Sequence, residues 1–204
     1  MIRMLLIGPP GAGKGTQASI IAERFGIVPI STGEIFRQNV SSKSPLGLEA
    51  ESYIRAGRFV PDAVTNSMVR DRLANPDAQN GFLLDGYPRT VGQVNFLDEI
   101  LKEDGHELDL VLQLTADTEK LVQRLLKRAE SEGRMDDTAE IIRHRMALYF
   151  AQTTAVTSLY SERGILSMVE GMGSVFDVSQ RISTAVDVAL GSSRHFYTVG
   201  EPCS

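Results

Sequence analysis

The sequence predicts an α/β fold built on a parallel sheet, and two observations carry that prediction. Short apolar runs at Ile2–Ile7, Ile27–Ile30, Gly81–Leu84, Leu108–Leu114 and Ile165–Val169 alternate with longer amphipathic stretches. Runs that are apolar on both faces suit strands buried between two helical layers, and strand–helix alternation implies parallel pairing. The second observation is GPPGAGKGT at Gly8–Thr16, directly after the first run. It fits the phosphate-loop pattern G-x-x-x-x-G-K-[ST] with its lysine at Lys14, apart from Gly15 standing between Lys14 and Thr16.

The elements follow in chain order. Gln17–Phe25 reads as the first helix, opening near Lys14. From Ser31 to Leu73 there are helical patterns and no strand, so the chain makes a helical excursion after the weak second strand. Thr90–Glu103 places Val91, Val94, Phe96, Leu97, Ile100 and Leu101 at helical spacing. Asp117–Glu130 does the same with Leu121, Val122, Leu125 and Leu126, and Asp117 is a candidate cap. RAESEGRMDD at Arg128–Asp137 is charged and contains Gly, which reads as a small exposed loop between two helices. Asp137–Arg163 is expected as one long helix, and Val175–Leu190 closes the domain. The tail Gly191–Ser204 has no helical or strand period.

Length and composition suit one core-bearing domain with excursions rather than two full domains. The net charge of -5 disfavours a polymeric anionic partner such as nucleic acid. Arginines nevertheless recur in separate motifs, which points to small anionic ligands in a pocket. Cys203 is the only cysteine, so a disulfide within the chain and a cysteine zinc site are both excluded. No run of about 18 apolar residues exists, so no membrane span is expected, and the protein is expected to be cytoplasmic.

The glycines of the loop remove Cβ atoms, letting the chain wrap a phosphate with its N–H groups turned inward. The helix beginning near Lys14 adds its positive end, Lys14 a point charge, and Thr16 a hydroxyl for a phosphate or Mg²⁺. Asp85 ends the apolar run in GFLLDGYPRT. An Asp there suits Mg²⁺ or its bound waters, and capping of the next turn is the plain alternative; the phosphate loop favours the metal. Arg89 follows Pro88, which stiffens the backbone just before it at the edge where ligands of such sheets sit. A surface salt bridge would account for Arg89 as well. Arg124 and Arg128, one helical turn apart, repel unless an anion lies between them. A solvated face paired with Glu130, Glu132, Asp136 and Asp137 is the even alternative.

Five motifs in order resemble the adenylate kinase family: GPPGAGKGTQA, STGEIFR at Ser31–Arg37, GRFVPD at Gly57–Asp62, GFLLDGYPRTVGQ at Gly81–Gln93, and RLLKRAESEGRMDD at Arg124–Asp137. The resemblance runs from about Met1 to Leu190 and leaves the tail out. It implies phosphoryl transfer between ATP and AMP with Mg²⁺, giving two ADP. It also implies a five-stranded parallel core in one domain over 1–190, with a monophosphate-binding excursion at about 31–60. It further implies a short lid at about 129–137 and a monomer. By the same likeness Gly11, Ala12, Gly13, Lys14, Gly15 and Thr16 would hold the ATP phosphates. Arg124 and Arg128 would reach ATP, and Gly173 in VEGMGSV would meet its adenine. Thr32, Arg37, Arg58, Phe59, Val60, Gly86, Tyr87, Pro88, Arg89 and Gln93 would hold AMP. Arg134 and Arg145 would reach AMP and the moving phosphoryl, making Lys14, Arg89, Arg124, Arg134 and Arg145 the catalytic cations. The lid is far shorter than in long-lid bacterial members and lacks the four cysteines that some of those use for zinc.

A pyrimidine monophosphate kinase, acting on UMP or CMP, is the nearest rival. Those enzymes usually carry Ala and Asn where this chain has Thr32 and Gln93, and a Gln amide can both donate and accept against an adenine edge. A nucleotide-dependent switch would need a guanine-reading N-K-x-D, which is missing. The histidines, His106, His144 and His195, lie in none of the five motifs.

Overall fold

The computed structural model describes residues 1–132 and 138–191, with the side chains at 131 and 132 left aside. Strands β1 (Ile2–Ile7), β2 (Val28–Ser31), β3 (Gly81–Asp85), β4 (Leu110–Thr115) and β5 (Leu166–Glu170) form one sheet in the order β2-β3-β1-β4-β5. All its pairings are parallel, for example Met4 with Leu83 and with Leu110. The α/β class read from the sequence is therefore the fold observed.

Successive side chains of a strand point to opposite faces, and the core divides accordingly. Met4, Leu6, Leu83, Leu110 and Leu112 pack on one face with Ile21, Leu121, Leu125, Ile142 and Ile182. Leu5, Ile7, Phe82, Leu84 and Val111 pack on the other with Phe36, Val94, Leu97, Val156 and Tyr160. The helices behind the first face are α1 (Lys14–Phe25), α6 (Thr118–Glu132), α7 (Ala139–Leu148) and α9 (Val175–Leu190). Those behind the second include α5 (Val91–Glu103) and α8 (Thr154–Glu162). β1 and β3, in the middle of the sheet, are buried along their whole length. The edge strands depart from the expectation of burial on both faces. Met168 of β5 is 66% exposed, because an edge strand has only part of a helical cover.

Between β2 and β3 the chain forms α2 (Thr32–Ser41), α3 (Pro45–Arg55) and α4 (Asp62–Leu73). Ser31 caps α2 by accepting from the N–H of Glu34, and Ser44 caps α3 by accepting from that of Gly47. Asp117 caps α6 by accepting from the N–H of Lys120 at 3.0 Å. The expected helix over Asp137–Arg163 is continuous from Ala139 to Glu162 but changes its winding part-way. α7 ends at Leu148, a π-helical turn occupies Tyr149–Thr153, and α8 resumes at Thr154. The stretch holds no Gly or Pro before Arg163, so composition gives no sign of the change. Most of the expected lid, including Arg134, and the tail beyond Gly191 lie outside the described residues. Among the described residues no helix is long and apolar enough to cross a membrane.

Candidate active site

The connection leaving β1 leads toward β2 on one side, and that leaving β3 leads to β4 on the other. Neighbouring strands with diverging exits leave a crevice at their carboxyl ends, where ligands of open α/β sheets bind. The loop after β1 and the turn after β3 meet there.

The loop after β1 closes with Gly13 in the left-handed conformation, φ 88°, as the N-cap of α1. Lys14 then folds back. Its Nζ donates to the carbonyls of Gly8 at 2.8 Å and Pro9 at 3.0 Å. Burial is the largest influence on this amine and lowers it from 10.5 to about 8; Asp85 opposes the fall, and Arg89, Arg145 and Arg128 add to it. Thr16 stands exposed on the first turn of α1.

The turn after β3 is held from several sides. Gly86 has φ 83°, and a Cβ there would lie 2.9 Å from Oγ1 of Thr32. Arg89 donates from Nε to the carbonyl of Gly86 at 2.7 Å and stacks over Phe59. Burial and Arg145 lower Arg89 from its ordinary guanidinium value to about 10, against the pull of Asp85. This half-buried, stacked guanidinium is not the surface salt bridge that the sequence left open. Thr153 of the π-helical turn donates to the carbonyl of Arg89 at 3.5 Å. The Tyr87–Pro88 peptide is cis.

A cleft lies above this edge, open to solvent at its mouth. It gathers Lys14, Thr32, Arg37, Arg58, Phe59, Val60, Gly86, Pro88, Arg89, Gln93 and Arg145 from among the expected residues. Tyr87 is placed differently. Its side chain is 1% exposed in the core beneath, its hydroxyl donating to Oδ1 of Asn66 at 2.8 Å with the carbonyl of Gln93 at 3.2 Å. Arg124 and Arg128 sit half-buried on α6, and Gly173, φ 117°, lies exposed in the loop after β5. None of these three lines the cleft, though Arg128 is near enough to depress Lys14. Ala12 is buried under the loop, while Gly11, Gly13 and Gly15 complete it outside the cleft wall.

Sequence reasoning missed Tyr149 and Thr153 of the π-helical turn, which line the cleft, and Asp62, which holds Gln93. Only a change of winding in the expected long helix could have signalled the first two. For a metal, the donors present are hard oxygens. Asp85 is 8% exposed, and among the described residues its Oδ1 is buried without a hydrogen-bond partner. An oxygen-only set with an orphaned carboxylate oxygen fits Mg²⁺.

A parallel sheet whose central strand feeds a glycine loop, with a lysine and arginines lining one crevice, defines a P-loop nucleotide-binding protein. The family model for adenylate kinase matches residues 6–165, and the chain belongs to that family. It is 59% identical over 189 residues to an adenylate kinase of Pseudarthrobacter chlorophenolicus, covering 93% of this chain and 98% of that one. It is 60% identical over 186 residues to one of Micrococcus luteus, covering 91% of both. With one of Kocuria rhizophila it shares 57% over 187 residues, covering 92% of this chain and all of the relative.

Proposed function

We propose that this chain transfers the terminal phosphoryl group of ATP to AMP, reversibly and with Mg²⁺, giving two ADP. The observation that carries this reading is the convergence of Lys14, Arg89 and Arg145 on one cleft, where burial and neighbouring cations already lower Lys14 and Arg89. Such a cluster is costly alone and favourable around polyanions.

The attacking atom is an oxygen of the AMP phosphate, already anionic, so no side chain need remove a proton. The bond it forms to the terminal phosphorus replaces the one to the bridging oxygen, and ADP leaves from each side. The protein's task is to align two polyanions and neutralise the charge that spreads over the moving group. Gly11 to Thr16, Arg124, Arg128 and Gly173 serve ATP in this reading. Thr32, Arg37, Arg58 to Val60, Gly86 to Arg89 and Gln93 serve AMP, with Tyr87 acting from the core. Lys14, Arg89, Arg124, Arg134 and Arg145 neutralise the transferring group. Thr16 and Asp85 would hold Mg²⁺ for the phosphates, through water in the case of Asp85.

Residues 31–60 act as a monophosphate-binding subdomain and 129–137 as a short lid, both closing to exclude water that would otherwise hydrolyse ATP. The protein works as a cytoplasmic monomer. A coupled assay with ATP and each of AMP, UMP, CMP and GMP tests the acceptor. AMP should be strongly preferred, and equal turnover of UMP would reject the adenine assignment in favour of the pyrimidine rival.

A further inference from the structure

Gln93 is held by two groups of opposite hydrogen-bonding character. Its Nε2 donates to Oδ1 of Asp62 at 2.7 Å, and its Oε1 accepts from the backbone N–H of Arg89 at 2.7 Å. A carboxylate accepts and a backbone N–H donates. The flipped amide would set two acceptors together at Asp62 and two donors together at Arg89, so one orientation is fixed. The other oxygen of Asp62 accepts from the hydroxyl of Thr90 at 2.7 Å. That hydroxyl in turn accepts from the N–H of Gln93 at 3.2 Å, as the N-cap of α5. Asp62 comes from the start of α4 and does not itself line the cleft, whereas Gln93 does.

Gln93 is 2% exposed. Among the described residues its amide keeps one N–H and one carbonyl lone pair uncommitted. Adenine offers a matching pair on its edge: N1 accepts and the 6-amino group donates. A 6-oxo purine offers the same two functions in the opposite order, since O6 accepts and N1–H donates. For a base held in one pose by its ribose and phosphate, each amide orientation suits only one of these edges.

We propose that Asp62 is a positioning residue that fixes the amide orientation of Gln93 and so selects a 6-amino over a 6-oxo purine monophosphate. The proposal rests on reading the cleft as the AMP site. Asp62 acts through Gln93 without touching the nucleotide. Removing it leaves the amide tied only to the Arg89 N–H, free to swing its nitrogen away from the base edge.

The test uses the full chain as wild type, Asp62→Ala, Asp62→Asn, Gln93→Ala and the Asp62→Ala/Gln93→Ala double variant. Steady-state constants are measured with ATP against AMP and against IMP, its 6-oxo counterpart. Asp62→Ala should raise KM for AMP about tenfold, the scale of one lost polar contact to a buried group, and leave KM for ATP in place. Its preference for AMP over IMP should fall. Asp62→Asn keeps an accepting oxygen and should recover part of both effects. In the Gln93→Ala background Asp62→Ala should change neither constant further, the signature of two residues acting as one unit. A lower melting temperature with kcat reduced equally for AMP and IMP, in both backgrounds, would make Asp62 merely structural and overturn the proposal. If Gln93→Ala raises KM for AMP and Asp62→Ala does not, the proposal alone falls. If Gln93→Ala itself leaves KM for AMP unchanged, the reading of the cleft as a base-selecting AMP site falls, and the proposal with it.

Discussion

The guanidinium of Arg89 lies 5.0 Å from the centroid of the Phe59 ring. This contact joins the turn after β3 to the segment that leads from α3 to α4. With Nε bonded to Gly86, the ring face holds the guanidinium over the crevice from its other side. Phe59→Leu keeps apolar bulk and removes the π face. It should weaken AMP by about 0.5–1 kcal/mol, a two- to fivefold rise in KM. KM for ATP should stay within error. Equal changes in both constants would show that Phe59 shapes the whole cleft rather than Arg89.

Gly86 faces a different constraint. Its φ of 83° is unfavourable for an L side chain, and a Cβ would crowd Oγ1 of Thr32 at 2.9 Å and Nη2 of Arg89 at 3.2 Å. Gly86→Ala should cost roughly 1–2 kcal/mol of backbone strain, or about 2–8 °C in melting temperature. It should also lower kcat/KM for AMP, because Thr32 and Arg89 must move. Gly105, with φ 70° and open space around its Cβ position, is the control. Gly105→Ala should lose stability and keep activity. Loss of activity in the control would trace the Gly86 effect to general loosening.

The sheet was legible because burial on two faces leaves a continuous apolar run. β1 at Ile2–Ile7 and α9 at Val175–Leu190 have the bounds read from the sequence. β3 runs one residue past the apolar run because Asp85 still pairs with Ser31 of β2. The π-helical turn was not legible: it changes backbone register without needing any particular residue. The site divides in the same way. Lys14 and Arg89 announce themselves through local motifs, since each is aimed by its own turn. Asp62 does not. It looks like an ordinary first-turn acid of α4, and its importance comes from Gln93 and Thr90, which approach through tertiary structure.

Lys14 predicts a pH dependence. Its amine titrates near 10.5 unfolded and about 8 folded, chiefly through burial. Between those values the unfolded chain holds the extra proton, so this group makes stability rise with pH across that window. Below about 8 the cost of burying its charge is fully present. Bound phosphates should favour the charged amine and raise its pKa. Binding of a bisubstrate analogue, two adenosines joined by five phosphates, should therefore take up a proton at a pH just above 8. Calorimetry in two buffers of different ionisation enthalpy reads that uptake directly. In kinetics, kcat/KM should fall as pH passes about 8, while kcat holds to higher pH, because only the first reports the free enzyme. Lys14→Met should abolish the uptake and cut turnover roughly a thousandfold with the fold intact. Uptake that survives in Lys14→Met would belong to another group.

Asp85 ties the lysine to the expected metal position. Its charge raises Lys14, and its Oδ2 is 3.5 Å from the hydroxyl of Ser31. Asp85→Asn keeps the shape and removes the charge. The loss should lower Lys14 further, so the alkaline fall in kcat/KM should begin below about 8. The same variant should need more Mg²⁺ for half-maximal rate, because an amide oxygen is a poorer partner for a hard cation or its waters. The two readouts separate the two roles. A changed Mg²⁺ requirement with an unmoved pH limit would mean that Asp85 serves the metal and leaves Lys14 alone. A moved pH limit with an unchanged Mg²⁺ requirement would take Asp85 out of the metal site and leave it as the counter-charge that keeps Lys14 protonated.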